Sequence, residues 1–363
     1  MGILTRNYLF DMQTFRYLEK HLGMVPAPTV AALAEVSTGH GREEAFRRQH
    51  PQVLEGLMEI ARIQSSESSN AIEHITAPAN RVAELVQDKT TPKNRPEEEI
   101  AGYRKVLDMI HASAEHIPVK TSIALQFHRD LYSFTATPGG HLKNTQNEVA
   151  RFGKDGKKIE VIFEGVSPFE TPAAMDELHE RFVEAAKSGK HAPLLLAGAY
   201  VFDFLMIHPF NDGNGRLSRL LTLLLLYHAG HEIGRFISLE KLIEESKETY
   251  YESLERSTTG WDESEHDPWP WLNYFLGILN AAYKEFEARA GELTGGRGSK
   301  AMRIRQFVQS RASNVFTFED IQRALPDISA DHIRTELRKL RDAGIVESPG
   351  RGRREWRRLR SEP

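Results

Sequence analysis

The chain is 363 residues long, 40% hydrophobic and 27% charged, with a formal net charge of −4. That length and balance fit a soluble globular protein of two or three domains and exclude a fibrous one. The absence of cysteine excludes disulfides, zinc–thiolate centres and cysteine nucleophiles, and fits a reducing cytoplasm. The N-terminus, MGILTRNYLFDM, lacks the long apolar core and cleavage site of a signal peptide. The most apolar run, residues 220–227, falls far short of the roughly 20 residues that span a bilayer, so the expected setting is the cytoplasm, away from membranes.

Residues 1–45 read as mostly helical by pattern, and apolar residues recur at three- and four-residue spacing over 53–64. Residues 65–75, SSESSNAIEHI, offer serines suited to capping a new helix at about 65–76, with Glu73 roughly one turn past its start. Taken alone, Glu73 reads as a solvated helix residue. Helical spacing resumes over 97–114 and 119–134. Residues 147–168 break the pattern: Ile159, Val161 and Phe163 alternate after a Lys-Asp-Gly-Lys turn, which predicts a β-hairpin. Helical periodicity returns over 172–188, 193–207, 216–229, 239–257 and 268–290, so the predicted fold class is mainly α with one hairpin.

Between two of these helices lies HPFNDGNGRLSR, residues 208–219. Gly213, Asn214 and Gly215 can adopt positive φ and aim successive N–H groups into one concavity, a nest for phosphate oxygens. The turn opens onto a helix N-terminus whose partial charge adds to that attraction, which points to a polyphosphate ligand. Arg216 and Arg219, three apart, are expected to project from one side of the first turn as forks for phosphate oxygens. Asp212, a lone carboxylate beside a phosphate site, suits Mg²⁺, which keeps several waters and takes other ligands from the phosphates. His208 can accept a proton at neutral pH and activate an incoming hydroxyl as general base. Phe210 anchors the loop in the core, and Asn211 and Asn214 supply hydrogen bonds within it. Each feature alone is commonplace; their coincidence in one short run is not.

The C-terminal part is chemically distinct. Residues 297–363 carry 16 basic against 9 acidic residues, a net +7, which leaves −11 for the rest of a chain of formal charge −4. GELTGGRGSK, residues 291–300, reads as a flexible linker. Helical spacing over 300–312, 317–325 and 329–343, with Ser329 as N-cap and Gly344 as the stop, precedes two short strands around a Gly-Arg-Gly turn. That is a winged-helix plan, with His332, Arg334, Thr335 and Arg338 near a groove-facing surface and Arg351, Arg353 and Arg354 on the wing. DNA or a protein would be its partner.

HPFNDGNGR agrees at every defined position with the Fic signature HPFx(D/E)GN(G/K)R, and Arg219 matches the second arginine often found three residues later. By this resemblance to Fic domain proteins, the chain looks like a protein adenylyltransferase, which moves AMP from ATP to a Ser, Thr or Tyr hydroxyl of a target protein and releases pyrophosphate. Gly215 favours AMP transfer, because relatives with Lys there act as kinases. The resemblance implies that the hairpin is a flap whose edge aligns the target by strand addition, with Ile162 and Phe163 as candidate contacts for nucleotide or target. It also implies that Tyr250 and Tyr251 line an adenine pocket, and that DPWPWLNYFL, 267–276, packs the bundle.

Many Fic proteins carry an inhibitory helix with the motif (S/T)xxxE(G/N). Ser69, Ala71, Ile72 and Glu73 fit it, whereas His74 stands where the motif has Gly or Asn. The resemblance implies that Glu73 pairs with Arg219 and withholds it from the γ-phosphate of ATP, leaving the α-phosphate misaligned. The implied organisation is an N-terminal helical region (1–96), a Fic core (97–290), a linker (291–300) and a winged-helix-like module (301–363), resembling modules appended to bacterial Fic proteins. Self-modification and a homodimer are compatible with it. Two function classes stay open: a self-inhibited adenylyltransferase, and a DNA-binding regulator whose pocket senses nucleotide. A sensor has no use for His208, which favours the enzyme; within that class phosphoryl transfer, or removal of AMP with Glu73 positioning water, also stays open.

Overall fold

The computed structural model describes residues 14–49, 51–152, 158–294, 300–301, 303–305, 307–308, 315–326, 328–347 and 355–358. Side chains are described throughout these except at 51–53, 149–162, 292–294, 355 and 357–358. The architecture is mainly α-helical. Its centre is α8 (Pro193–Ile207), in which every residue from Leu194 to Ile207 is buried. Such a helix has no solvent face, so helices must cover all its sides. Those around it are α7 (Thr171–Ser188), α9 (Asn214–His228) and α12 (Trp269–Thr294). Each leucine, isoleucine or phenylalanine sealed there contributes roughly 1.5–3 kcal/mol. Gly198 lets α12 approach closely, and Trp271 Nε1 donates to its carbonyl at 2.8 Å.

The N-terminal region shares this core through Phe15, Leu22, Val36, Leu54 and Leu57. Thr14 Oγ1 donates to the buried Asp203 of α8 at 2.6 Å, and Trp261 Nε1 donates to the same carboxylate oxygen at 3.1 Å. Burial lifts the Asp203 pKa to about 6. Beyond Ala27–Gln49 (α2), which packs on α12, two helices frame the site: α3 (Pro51–Ile72) and α5 (Arg95–Ser113).

The serines of α3 do not cap a new helix at 65; the helix runs unbroken from Pro51 to Ile72, and Glu73 follows its C-terminal end. The reason is that each serine finds another partner. Ser66 Oγ donates back to Arg62 O at 3.0 Å, Ser65 Oγ to Glu240 at 2.6 Å and Ser68 Oγ to Glu244 at 2.6 Å. The helix stops in a left-handed turn at His74 (φ 62), with Ile75 N–H reaching back to Asn70 O at 3.0 Å. This is the six-to-one bond of a Schellman cap, whose left-handed position favours Gly or Asn.

The stretch expected as one helix over 239–257 is two, α10 (Leu239–Glu245) and α11 (Lys247–Thr258). Ser246 breaks it: its hydroxyl donates to Leu242 O at 2.7 Å and bonds Tyr274 Oη at 2.8 Å, competing with the helical ladder. The hairpin forms from β1 (Glu148–Phe152) and β2 (Lys158–Glu164), antiparallel with two register irregularities. Its turn lies outside the described residues. Helix α12 continues through Thr294, into the stretch read as linker.

The C-terminal residues build a separate core around Ile304, Phe316, Ile333, Leu337 and Val346. Helical backbone between 300 and 308 precedes β3 (Val315–Thr317), α13 (Phe318–Ala324), α14 (Ala330–Asp342), β4 (Val346–Glu347) and β5 (Glu355–Arg358). The antiparallel sheet has the order β3-β5-β4, so β5 pairs with a strand, β3, that periodicity did not reveal. Thr317 and Asp320 form a capping box on α13, whereas Ser329 occupies the N-cap of α14 without a side-chain bond. Gly344 (φ 70) closes α14. Thr335 and Arg338 are exposed and His332 is half-buried, while Arg334 pairs with Asp331 at 3.0 Å. Arg351, Arg353 and Arg354 lie outside the described residues.

Because His74 holds a left-handed backbone without being glycine, His74→Gly is expected to stabilise the protein by about 0.5–1 kcal/mol, the steric relief less glycine's extra freedom when unfolded. Urea unfolding checks this; a lower midpoint would show that the imidazole contributes contacts of its own.

Candidate active site

The site begins where α8 ends. His208 caps that helix in the left-handed region, φ 51 and ψ 59, with its N–H bonded to Phe204 O at 3.0 Å. Its Nδ1 lies 3.2 Å from Leu205 O. A carbonyl only accepts, so Nδ1 carries the proton and Nε2 keeps its lone pair. Burial, with the Lys143 ammonium nearby, pushes the imidazole pKa down to about 4.

The loop after it is fastened from below. Phe210 is fully buried and stacks on the His128 ring at 3.9 Å. His128 Nδ1 accepts from Gly140 N–H at 2.8 Å, so its Nε2–H donates to Asp212 O at 3.1 Å. Asn214 closes the loop from within, its Oδ1 accepting from Phe210 N at 2.9 Å and its Nδ2 donating to Phe210 O at 2.7 Å. Asn211 bonds outside the loop, to Asn144 at 3.0 Å and Thr145 at 3.1 Å.

Only Gly213, with φ 83, takes the left-handed conformation expected of the glycine-type run; Asn214 and Gly215 are already the first residues of α9. The element expected to bind an anion is therefore a helix N-terminus entered through one left-handed residue. Asp212 stands at its mouth with its side chain 67% exposed, and its Oδ1 accepts from Gly213 N at 2.7 Å.

The two arginines part company. Arg216, expected to hold phosphate, is only 1% exposed and turns into the protein, where it meets Glu99 at 2.5 Å and Tyr132 Oη at 2.8 Å. A guanidinium removed from water requires such a counter-charge, and Arg216 does not line the cleft. Arg219 does. Its Nε donates to Ser69 Oγ at 2.8 Å, and its Nη2 to Ser69 O at 2.7 Å and Glu73 Oε1 at 2.9 Å. The Glu73 carboxylate also lies against Gly215, where an added Cβ would overlap its oxygen. Lys247 Nζ caps the end of α3 through Ile72 O at 2.7 Å.

One cleft of about 240 Å³ collects these groups: Glu73, His208, Asp212 to Gly215 and Arg219. Tyr250 and Tyr251 line it too; Tyr250 is buried and Tyr251 is 38% exposed. Phe163 forms a wall, its ring 6.1 Å from that of His208, whereas the Ile162 side chain lies outside the described residues. Sequence reasoning missed Leu254, Glu255 and Thr258, which line the cleft from the face of α11 that carries Tyr251; the spacing 251, 254, 255, 258 was the available signal. It also missed His128, Lys143 and Asn147, which lie in different local contexts and carry no periodic signature.

Residues 118–226 match the Fic/DOC family, a span that contains His208 to Arg219. The chain carries a Fic domain. This family usually transfers a nucleotide monophosphate to proteins, and its members are typically transferases. A Fido domain-containing protein of Dictyostelium discoideum is 33% identical over 75 residues, 20% of this chain and 52% of that protein, so the match spans about half the length of that relative. Among solved structures, a Fic family protein from Desulfovibrio desulfuricans G20 aligns with a TM-score of 0.61 and 19% identity over 94% of this chain and 98% of its own. A Fic domain-containing signaling protein from Bacteroides thetaiotaomicron VPI-5482 gives 0.59 and 23% over 70% and 96%. Fic-1 from C. elegans gives 0.54 and 19% over 71% and 72%. At these identities the structural likeness establishes the fold.

The lowered pKa of His208 has a measurable sign. Burial disfavours its charged form, so the ring stays neutral as pH falls through its ordinary value near 6.5 and protonates only near 4. Histidine NMR titration is expected to find that midpoint; a value at or above 6.5 would place the ring in water.

Proposed function

We propose that this protein transfers AMP from ATP to a hydroxyl of a target protein, and that Glu73 holds it in check. The observation that carries the reading is the shared cleft: a neutral histidine with Nε2 free, a helix N-terminus, an exposed carboxylate and a buried arginine line one volume. The phosphates would lie over the N–H groups at the start of α9, with the γ-phosphate on Arg219. Nε2 of His208 would take the proton of the target Ser, Thr or Tyr hydroxyl as its oxygen attacks the α-phosphorus, and pyrophosphate would leave opposite.

Asp212 fits Mg²⁺ by its chemistry. It is a solvent-facing carboxylate beside the phosphate position, and Mg²⁺ asks little more of a protein than one or two such oxygens. Bound there, the ion would neutralise phosphate charge.

Glu73 supports the inhibited state by occupying the same electrostatic niche that a phosphate would. Its carboxylate meets Arg219 and touches Gly215 at the start of α9. ATP could then bind, but its γ-phosphate would be denied the guanidinium and its α-phosphate would not be aligned for in-line attack. The flap formed by β1 and β2 would carry the target segment along an edge, and the C-terminal unit would act as a winged-helix recognition module for DNA or protein.

Glu73→Gly is expected to raise the transfer of label from α-phosphate-labelled ATP with Mg²⁺ by about tenfold or more, equivalent to at least about 1.4 kcal/mol of restored alignment. An unchanged rate would sink the inhibitory role, and label arriving only from the γ-phosphate would replace AMP transfer by phosphoryl transfer. In the same background His208→Ala is expected to abolish transfer while ATP still binds by calorimetry, since the helix N-terminus remains; normal labelling by this variant would remove His208 from the chemistry.

A further inference from the structure

A left-handed residue other than glycine persists only where its surroundings over-determine it. His208 is such a residue, and the four carbonyls from Ile207 to Phe210 are all held by two residues of the segment that leads into the flap. Ile207 O accepts from Lys143 Nζ at 3.1 Å and His208 O from Asn147 Nδ2 at 3.2 Å. Pro209 O accepts from Lys143 N at 2.8 Å and Phe210 O from Asn147 Nδ2 at 2.8 Å. Lys143 Nζ also donates to Asn147 Oδ1 at 2.8 Å, locking the pair together.

Lys143 is only 3% exposed. Lysines are rarely buried so completely, because an ammonium taken out of water is costly; burial brings this one down to about 8. Its setting is therefore specific. The other side of the flap closes on the same place: Gly165 N–H donates to Asn147 O at 3.1 Å, and an added Cβ at Gly165 would stand 2.8 Å from Lys143 Nζ and 3.0 Å from His208 Cβ.

We propose that Lys143 and Asn147 are positioning residues that splint the left-handed turn at His208 and fix the flap to it, so that the base and the target segment share one frame. Neither residue lines the cleft; both act through the backbone of 207–210. The inference rests on the proposed transfer reaction, and it explains how a target held by backbone pairing on the flap edge would meet His208 Nε2 in a fixed register.

The test uses the full chain in two arms. In the Glu73→Gly background, Lys143→Met is expected to lower kcat for AMP transfer about 100-fold, the loss typical of a small misplacement, while the ATP dissociation constant stays within about twofold by calorimetry. Lys143→Arg, which keeps charge and donors, is expected to restore most of the rate. In the otherwise unaltered protein, NMR of nitrogen-15-labelled histidine is expected to show His208 titrating at higher pH in Lys143→Met, because a cation that faces it is gone while the carboxylates of Glu73 and Asp212 remain. If Lys143→Met does not fold, Asn147→Asp, which lacks the amide donor, carries the same readouts. A Glu73→Gly parent that transfers nothing sinks the reaction, yet a shifted His208 signal in Lys143→Met still upholds the splint. An unshifted His208, an unchanged rate, or a rate loss matched by lost ATP affinity overturns it.

Discussion

Arg219 places a full positive charge, 4% exposed, beside a helix N-terminus that is itself positively polarised. That arrangement demands an anion. Among the described residues Glu73 supplies it, and much of the surrounding structure is what brings Glu73 there. Helix α3 must run unbroken to Ile72, so its serines must bond elsewhere and not cap; it must stop abruptly, which the left-handed His74 achieves. Residue 215 must also lack a Cβ, since the carboxylate lies against it. In the proposed function the same demand is met in turn by the phosphates of ATP, so catalysis and restraint would be two answers to one electrostatic problem.

The neighbouring Arg216 shows how strongly position within a turn governs the use of an identical side chain. Three residues earlier on α9, it turns inward, and its two terminal nitrogens donate to Glu99 of α5 and to Tyr132. It thereby ties the start of the helix to the bundle while Arg219 remains available to the cleft. His128 plays a similar supporting part, with its tautomer set by Gly140 and its ring beneath Phe210. The loop from His208 to Gly213 is thus fixed by side chains from well outside it, while His208 and Asp212 line the cleft.

Much of this was legible in sequence. The helices over 193–207 and 172–188 followed from apolar spacing alone, because a fully buried or one-faced helix writes its environment into its residues. The hairpin was legible from the alternation of Ile159, Val161 and Phe163. The break at Ser246 was not, because a serine hydroxyl competes with the helical ladder only when something such as Tyr274 holds it in place. Nor was β3, three residues long, which is a strand only by virtue of pairing with β5. The continuity of α3 was not legible for a related reason: serines prefer caps in isolation, and acidic partners on α10 reversed that preference.

For the site, the sequence by itself determined the chemical inventory. A histidine, a carboxylate, a glycine-led helix start and an arginine in one short run are local facts, set by covalent order and turn geometry. The tertiary structure decided which of them face a common space: Arg219 and not Arg216, a single left-handed glycine and not a run of them, and a glutamate just past the end of a distant helix, set against Arg219 and Gly215. It also enlisted Lys143 and Asn147 around the carbonyls of the loop. Such pairings depend on how helices pack and on which charges burial forces together, and those are properties of the folded core that no local pattern of residues encodes.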